Sequence, residues 1–137
     1  DITIELRSRP RLLCPVRHLL QTYLADFGFP RERCAEVVLA VDEACTNAMR
    51  HAYGGRETEI LVLSLRSNET WVELEVRDEG RPAPPERVCR KPFETPDIAS
   101  ITPGGLGVRL IYEVADEASF VPGEHEGNCV TMRLKRP

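Results

Sequence analysis

The chain has 137 residues, 42% hydrophobic and 29% charged, with a formal charge of −4 at pH 7. That length suits one domain with its own core, and the composition excludes disorder over the whole chain. The net acidity counts against nucleic acid as a direct partner, since phosphate contacts need a concentrated basic face; the short clusters Arg7, Arg9, Arg11 and Arg87, Arg90, Lys91 read as solvated charge.

No apolar run approaches the ~20 residues that cross a bilayer, and no basic-then-apolar segment opens the chain at Asp1, so no membrane partner is expected. The five cysteines (Cys14, Cys34, Cys45, Cys89 and Cys129) are odd in number and widely spaced, without a C-x-x-C pair. Four of them have apolar or small neighbours, as small buried residues do, and a reduced cytoplasmic protein is the expectation.

Ile2, Ile4 and Leu6 alternate with polar residues, which predicts a short first strand. Leu13, Val16, Leu19, Leu20, Tyr23, Leu24 and Phe27 recur at three- and four-residue steps, predicting a helix from about Pro15 to Phe27 that stops at Gly28. Pro30 suits the first turn of a second helix reaching roughly His51, with a stripe of Cys34, Val37, Val38, Val41, Ala44, Cys45 and Ala48 ended by Gly54-Gly55. Two strands follow, Glu59 to Arg66 and Trp71 to Asp78, turned by Ser67-Asn68-Glu69. Six of the eleven prolines fall between Arg81 and Pro103, which rules out a regular helix or central strand over most of that stretch. Loops of this length in a compact domain are usually functional lids or mobile segments. A third helix is expected from Gly104-Gly105-Leu106-Gly107 to about Asp116, then closing strands Ala118 to Val121 and Cys129 to Leu134 around a Gly-containing turn. This order predicts an α/β fold: a two-layer sandwich whose mixed, mostly antiparallel sheet carries three helices on one face.

Three constellations carry chemistry. On the second helix, Glu43, Asn47 and Arg50 project opposite the apolar stripe, and Glu43 and Asn47, four apart, stack one above the other. The same spacing describes any solvated helix face, but asparagine in mid-helix competes for backbone hydrogen bonds, and an oxygen ligand for Mg²⁺ is a reason to keep one there. Asp78-Glu79-Gly80 ends an apolar strand: a carboxylate there can accept a hydrogen bond from an exocyclic amine, and Gly80 lets backbone approach a flat base, though Asp and Gly also simply favour turns. Gly104-Gly105-Leu106-Gly107 opens a helix whose unpaired N–H groups can meet phosphate; the alternative is a flexible loop-to-helix junction. Neither a P-loop nor a Rossmann fingerprint is present.

Taken in order, E-A-C-T-N-A-M-R-H-A-Y (Glu43 to Tyr53), D-E-G (Asp78 to Gly80) and G-G-L-G-V-R-L-I (Gly104 to Ile111) resemble the N, G1 and G2 boxes of GHKL ATPases, and the first string resembles the anti-sigma-factor kinase branch. The resemblance implies a single histidine-kinase-like ATP-binding domain over residues 1–137, with 81–103 as ATP lid. It implies Glu43 as general base toward a protein hydroxyl, Asn47 as Mg²⁺ ligand, Asp78 as acceptor of the adenine amine, Gly80 beside the base, and Gly105 and Gly107 against phosphates. His51 and Tyr53 match the motif without an assigned role; packing or capping the helix end would also account for them. The 137 residues hold no phosphoacceptor-histidine helix pair ahead of these boxes, so a self-contained histidine kinase is not the expectation. Two departures stand out: Thr102-Pro103 occupy the place where some relatives have an arginine, leaving Arg109 as the nearest cation, and Asn128-Cys129 stand where hydroxyl residues often lie.

The function implied is an ATP-dependent serine/threonine protein kinase that also binds a sigma factor and phosphorylates a STAS-type anti-sigma-factor antagonist, commonly as a homodimer. The alternatives are a nucleotide-binding module that sequesters a partner without phosphotransfer, and a free-standing ATP-binding domain of a larger signalling system.

Overall fold

In this computed structural model, residues 1–88 and 105–137 are described. The elements are β1 (Ile2–Arg7), α1 (Leu13–Asp26), α2 (Arg31–Asn47), β2 (Ile60–Ser67), β3 (Trp71–Asp78), α3 (Pro85–Val88), α4 (Gly105–Val114), β4 (Glu117–Pro122) and β5 (Asn128–Lys135). A 3₁₀ turn (Pro10–Leu12) leads into α1, and a π turn (Ala48–Ala52) continues α2.

The five strands form one sheet in the order β1-β2-β3-β5-β4, and all four pairings are antiparallel. Period-two alternation explains why one face is buried. Leu61, Leu63 and Leu65 of β2, Val72, Leu74 and Val76 of β3, and Val130, Met132 and Leu134 of β5 all enter a single core. The helices cover that face. Leu13, Val16, Leu20 and Leu24 form the buried stripe of α1, and Val37, Val41, Ala44 and Cys45 that of α2. On α4, Ile111 and Val114 reach the same core. Burial of this apolar surface, at about 25 cal/mol per Å², is the main term holding the two layers together. Among the described residues, no helix is long and apolar enough to cross a membrane.

Local signals act where the sequence places them. Gly28 ends α1 with φ +88°, its N–H donating to the Ala25 carbonyl at 2.9 Å. At the β2–β3 turn the Asn68 carboxamide oxygen accepts from the N–H groups of Thr70 (2.9 Å) and Trp71 (2.8 Å), so the side chain closes the hairpin.

Four details depart from the expectations. Regular helix gives way to the π turn one residue after Asn47, where the Tyr53 N–H donates five residues back to the Ala48 carbonyl (3.0 Å). Asn47 does not project from the polar side of α2; it is buried at 6% exposure, while Arg50 is exposed. Cys14 is exposed, because the stripe of α1 runs through positions 13, 16, 20 and 24. Within the proline-rich stretch, Pro85–Val88 makes one helical turn, with Pro85 in the first position, where its missing N–H is harmless.

Candidate functional site

A cleft opens where the π turn of α2 faces the ends of β3 and β5. Asn47, His51, Asp78, Arg81, Arg87 and Asn128 supply its polar lining, over an apolar floor that includes Val76 and Val130. The inward positions of β3 are Val72, Leu74, Val76 and then Asp78, so the strand's alternation itself delivers a carboxylate to the cleft. Asp78 is only 6% exposed. Its Oδ1 accepts from the Gly80 N–H (2.9 Å) and from Asn128 Nδ2 (3.0 Å), while Oδ2 has only the longer Asn128 contact at 3.3 Å. Burial pushes the carboxyl up from its ordinary value, opposed by the hydrogen bonds from Asn128 and Gly80. Oδ2 is thus the acceptor left for a donor from outside the chain.

From the other wall, Asn47 and His51 enter one helical turn apart. Asn47 Nδ2 and His51 Nε2 are buried and find no hydrogen-bond partner among the described residues. An orphaned buried polar group costs about 1–3 kcal/mol, and two in one cleft mark a surface built to meet a polar ligand. Burial, then the positive charges of Arg87 and Arg50, push the His51 imidazole below its ordinary value, which favours the neutral ring. Glu43 lies one turn before Asn47, half-buried, with no ion pair or hydrogen bond among the described residues. It stands outside the cleft lining, further along the same helix row.

The D-E-G turn is fixed against the π turn. Arg81 N–H donates to the Ala52 carbonyl (2.8 Å), and Gly127 N–H donates to the Gly80 carbonyl (2.6 Å). A Cβ on Gly80 would run into the Ala52 carbonyl oxygen and lie 2.8 Å from Tyr53 Cδ1, so glycine here is required by the chain's own backbone. Tyr53 closes the arrangement: its hydroxyl donates to the Ile60 carbonyl (2.5 Å) and accepts the Glu79 N–H (2.8 Å). The motif tyrosine therefore ties α2, β2 and the Asp78 turn together.

Gly105 and Gly107 fall in the first turn of α4, and Arg109 lies two residues beyond Gly107 on the same helix. Gly104, Thr102, Pro103 and the 89–103 part of the expected lid lie outside the described residues. Sequence reasoning missed Arg87 and the bonding of Asn128. Arg87, which reads as solvated charge in the sequence, lines the cleft. Among the described residues no group of three or more His, Cys, Asp or Glu side chains is placed to hold a metal ion.

Residues 6–134 match the histidine kinase-like ATPase domain. The chain belongs to that family. Among curated proteins it is similar to serine-protein kinase RsbW of Listeria innocua serovar 6a, 29% identical over 134 residues, covering 96% of this chain and 84% of that protein. It is similar also to anti-sigma F factor of Bacillus cytotoxicus, 27% identical over 118 residues, covering 85% and 79%. The fold is shared with the RsbU and RsbW domains of Rv1364c from Mycobacterium tuberculosis, with TM-score 0.67, 21% identity, and coverage of 99% of this chain and 32% of that longer one. A histidine kinase domain from Erythrobacter litoralis EL346 aligns with TM-score 0.59, 20% identity, and coverage of 91% and 59%. Family membership implies an ATP-binding site, and within the family the chain resembles the anti-sigma-factor kinases. The donor set of the cleft fits a nucleotide: a buried carboxylate with a spare oxygen for a base amine, and an unpartnered amide on the opposite wall.

Proposed function

We propose that this protein is an ATP-dependent serine/threonine kinase that serves as an anti-sigma factor and phosphorylates a STAS-type anti-sigma-factor antagonist. The observation that carries the reading is the meeting in one cleft of Asp78 and Asn47, from distant parts of the sequence, both more than nine-tenths buried. The names of the relatives, serine-protein kinase and anti-sigma F factor, support a protein serine as acceptor and a sigma factor as partner, while the STAS-type antagonist rests on the motif resemblance.

ATP with Mg²⁺ would supply the transferable phosphoryl group and the charge that neutralises it. The chain's own contributions follow from position. Asp78 Oδ2 accepts from the base amine, while Oδ1 is held by Gly80 and Asn128. The carboxamide of Asn47 offers the cation its oxygen. The first turn of α4, with Gly105 and Gly107, offers backbone N–H groups to phosphate. Glu43, without a competing partner among the described residues, accepts the proton of the attacking hydroxyl. In this reading residues 81–103 form the lid, the sigma factor is the second protein partner, the working unit is a homodimer, and the location is cytoplasmic.

Isothermal calorimetry with ATP, with and without Mg²⁺, tests the nucleotide site. Asp78→Asn removes a charge-assisted acceptor worth about 1.5–3 kcal/mol, so affinity should fall roughly ten- to a hundredfold. Unchanged affinity in that variant would remove Asp78 from the base site.

A further inference from the structure

The cleft beside Asp78 encloses only about 20 Å³. That is room for about one water molecule, far less than a purine ring needs. Arg81 and Ala83 belong to its lining, and the 81–83 strap is fastened there by one side chain, Asn128. Its Nδ2 donates to Asp78 Oδ1 (3.0 Å) and to the Arg81 carbonyl (3.0 Å), and its Oδ1 accepts the Ala83 N–H (2.8 Å). Both amide hydrogens and the carbonyl are engaged, which also fixes which carboxamide atom is oxygen.

Sheet register makes this contact unavoidable. Asn128 is the cross-strand partner of Asp78, and both point to the core side of the sheet. A hydroxyl residue at this position could still donate to Asp78, but one short oxygen cannot span to the Arg81 carbonyl and the Ala83 N–H as well.

We propose that Asn128 is a positioning residue that clasps the 81–83 strap over the nucleotide cleft while orienting Asp78, so that nucleotide enters only after the Arg81 and Ala83 bonds of the clasp release. The proposal deepens the ATP reading and rests on it for the identity of the ligand. The clasp itself is a property of the protein alone. Nucleotide binding then selects the open strap, and its apparent affinity is reduced by the fraction of molecules that are open. Asn128 remains bonded to Asp78 Oδ1 throughout, leaving Oδ2 for the base. The Asn128 bond also opposes the upward push of burial on the Asp78 carboxyl, so it helps keep the acceptor ionised.

The test uses Asn128→Thr, which keeps a donor for Asp78 but loses the strap, and Asn128→Ala, which loses both. The first readout needs no nucleotide: amide hydrogen exchange at Ala83, followed by NMR. In the wild type this amide should be protected, and in Asn128→Thr its exchange should rise about fivefold to tenfold, the loss of one hydrogen bond. The second readout is stopped-flow association of a fluorescent ATP analogue, which should be several-fold faster in Asn128→Thr. The third is the pH dependence of ATP affinity, whose acid limb should move to higher pH in Asn128→Ala and much less in Asn128→Thr. A merely structural role would lower stability without accelerating association. Unchanged Ala83 exchange in Asn128→Thr overturns the clasp, and faster exchange with unchanged association overturns its control of access. Wild-type protein that binds no ATP overturns the proposed function and the access step with it, while Ala83 exchange still decides whether the clasp exists.

Discussion

Gly80→Ala places a single methyl where three backbone or ring atoms already stand. An ideal Cβ would meet the Ala52 carbonyl oxygen, sit 2.6 Å from the Ala52 carbonyl carbon and 2.8 Å from Tyr53 Cδ1. Two of the three are backbone atoms in the π turn, and Tyr53 is held at its hydroxyl by Ile60 and Glu79, so no neighbour can swing aside. Overpacking of this kind costs about 1–3 kcal/mol, and the absence of a soft neighbour puts this site near the upper end. For a domain of this size that is a fall in Tm of roughly 10 °C. The same displacement separates the Gly80 N–H from Asp78 Oδ1, now 2.9 Å apart, so ATP affinity should fall together with stability. Urea unfolding and calorimetry read the two effects. Gly54→Ala is the control: its φ is +60°, but nothing lies within 4 Å of the added carbon, so only backbone strain of about 1–2 kcal/mol is expected and ATP affinity should stay. A Gly80→Ala variant with the wild-type unfolding midpoint and ATP affinity would refute the argument that this glycine sets the position of Asp78.

Tyr53→Phe removes a hydroxyl that serves two backbone groups at once, so stability should drop by about 1–3 kcal/mol in chemical denaturation, with ATP affinity lowered because the Glu79 N–H no longer anchors the turn. Acidification should destabilise the protein through His51. Its folded-state pKa lies below the ordinary 6.5, so the unfolded chain takes up the proton first, and stability is lost as pH falls from above 6.5 toward the folded value. His51→Gln should flatten that part of a stability–pH curve, and an unchanged curve would contradict the assignment. Cys45 is fully buried and its thiol is pushed up to about 12, while Cys14 is exposed, so iodoacetamide followed by peptide mass spectrometry should label Cys14 in the native protein and Cys45 only after unfolding.

The layers and most elements were legible because they depend on local periodicity. Alternation in Ile60–Ser67 and Trp71–Asp78, the stripes of the first two helices, and glycines at 28, 54 and 55 are each readable within a dozen residues. Asp78 was legible as a carboxylate ending an apolar strand. What the sequence hid are relations across the fold. The bond between Asp78 and Asn128 spans 50 residues and exists because β3 and β5 pair in a particular register. Arg87 resembled surface charge, because nothing local says that one helical turn will lay it against the cleft. The π turn that carries His51 to the cleft leaves no propensity signal, since its residues suit an α-helix equally well. The use of Gly80 against Ala52, rather than only beside a ligand, likewise requires the two segments to be brought together first.

The central claim is phosphoryl transfer to a protein hydroxyl with Glu43 as the base, and one measurement addresses it directly: incorporation of labelled phosphate from ATP into a purified STAS-domain antagonist by wild type and Glu43→Gln. Glutamine keeps the size and helix propensity of the side chain and removes its basicity. The account predicts that the variant still binds ATP but transfers phosphate slower by a factor on the order of 10²–10⁴. Equal rates in the two proteins, or no transfer by the wild type to an antagonist that it demonstrably binds, would contradict it.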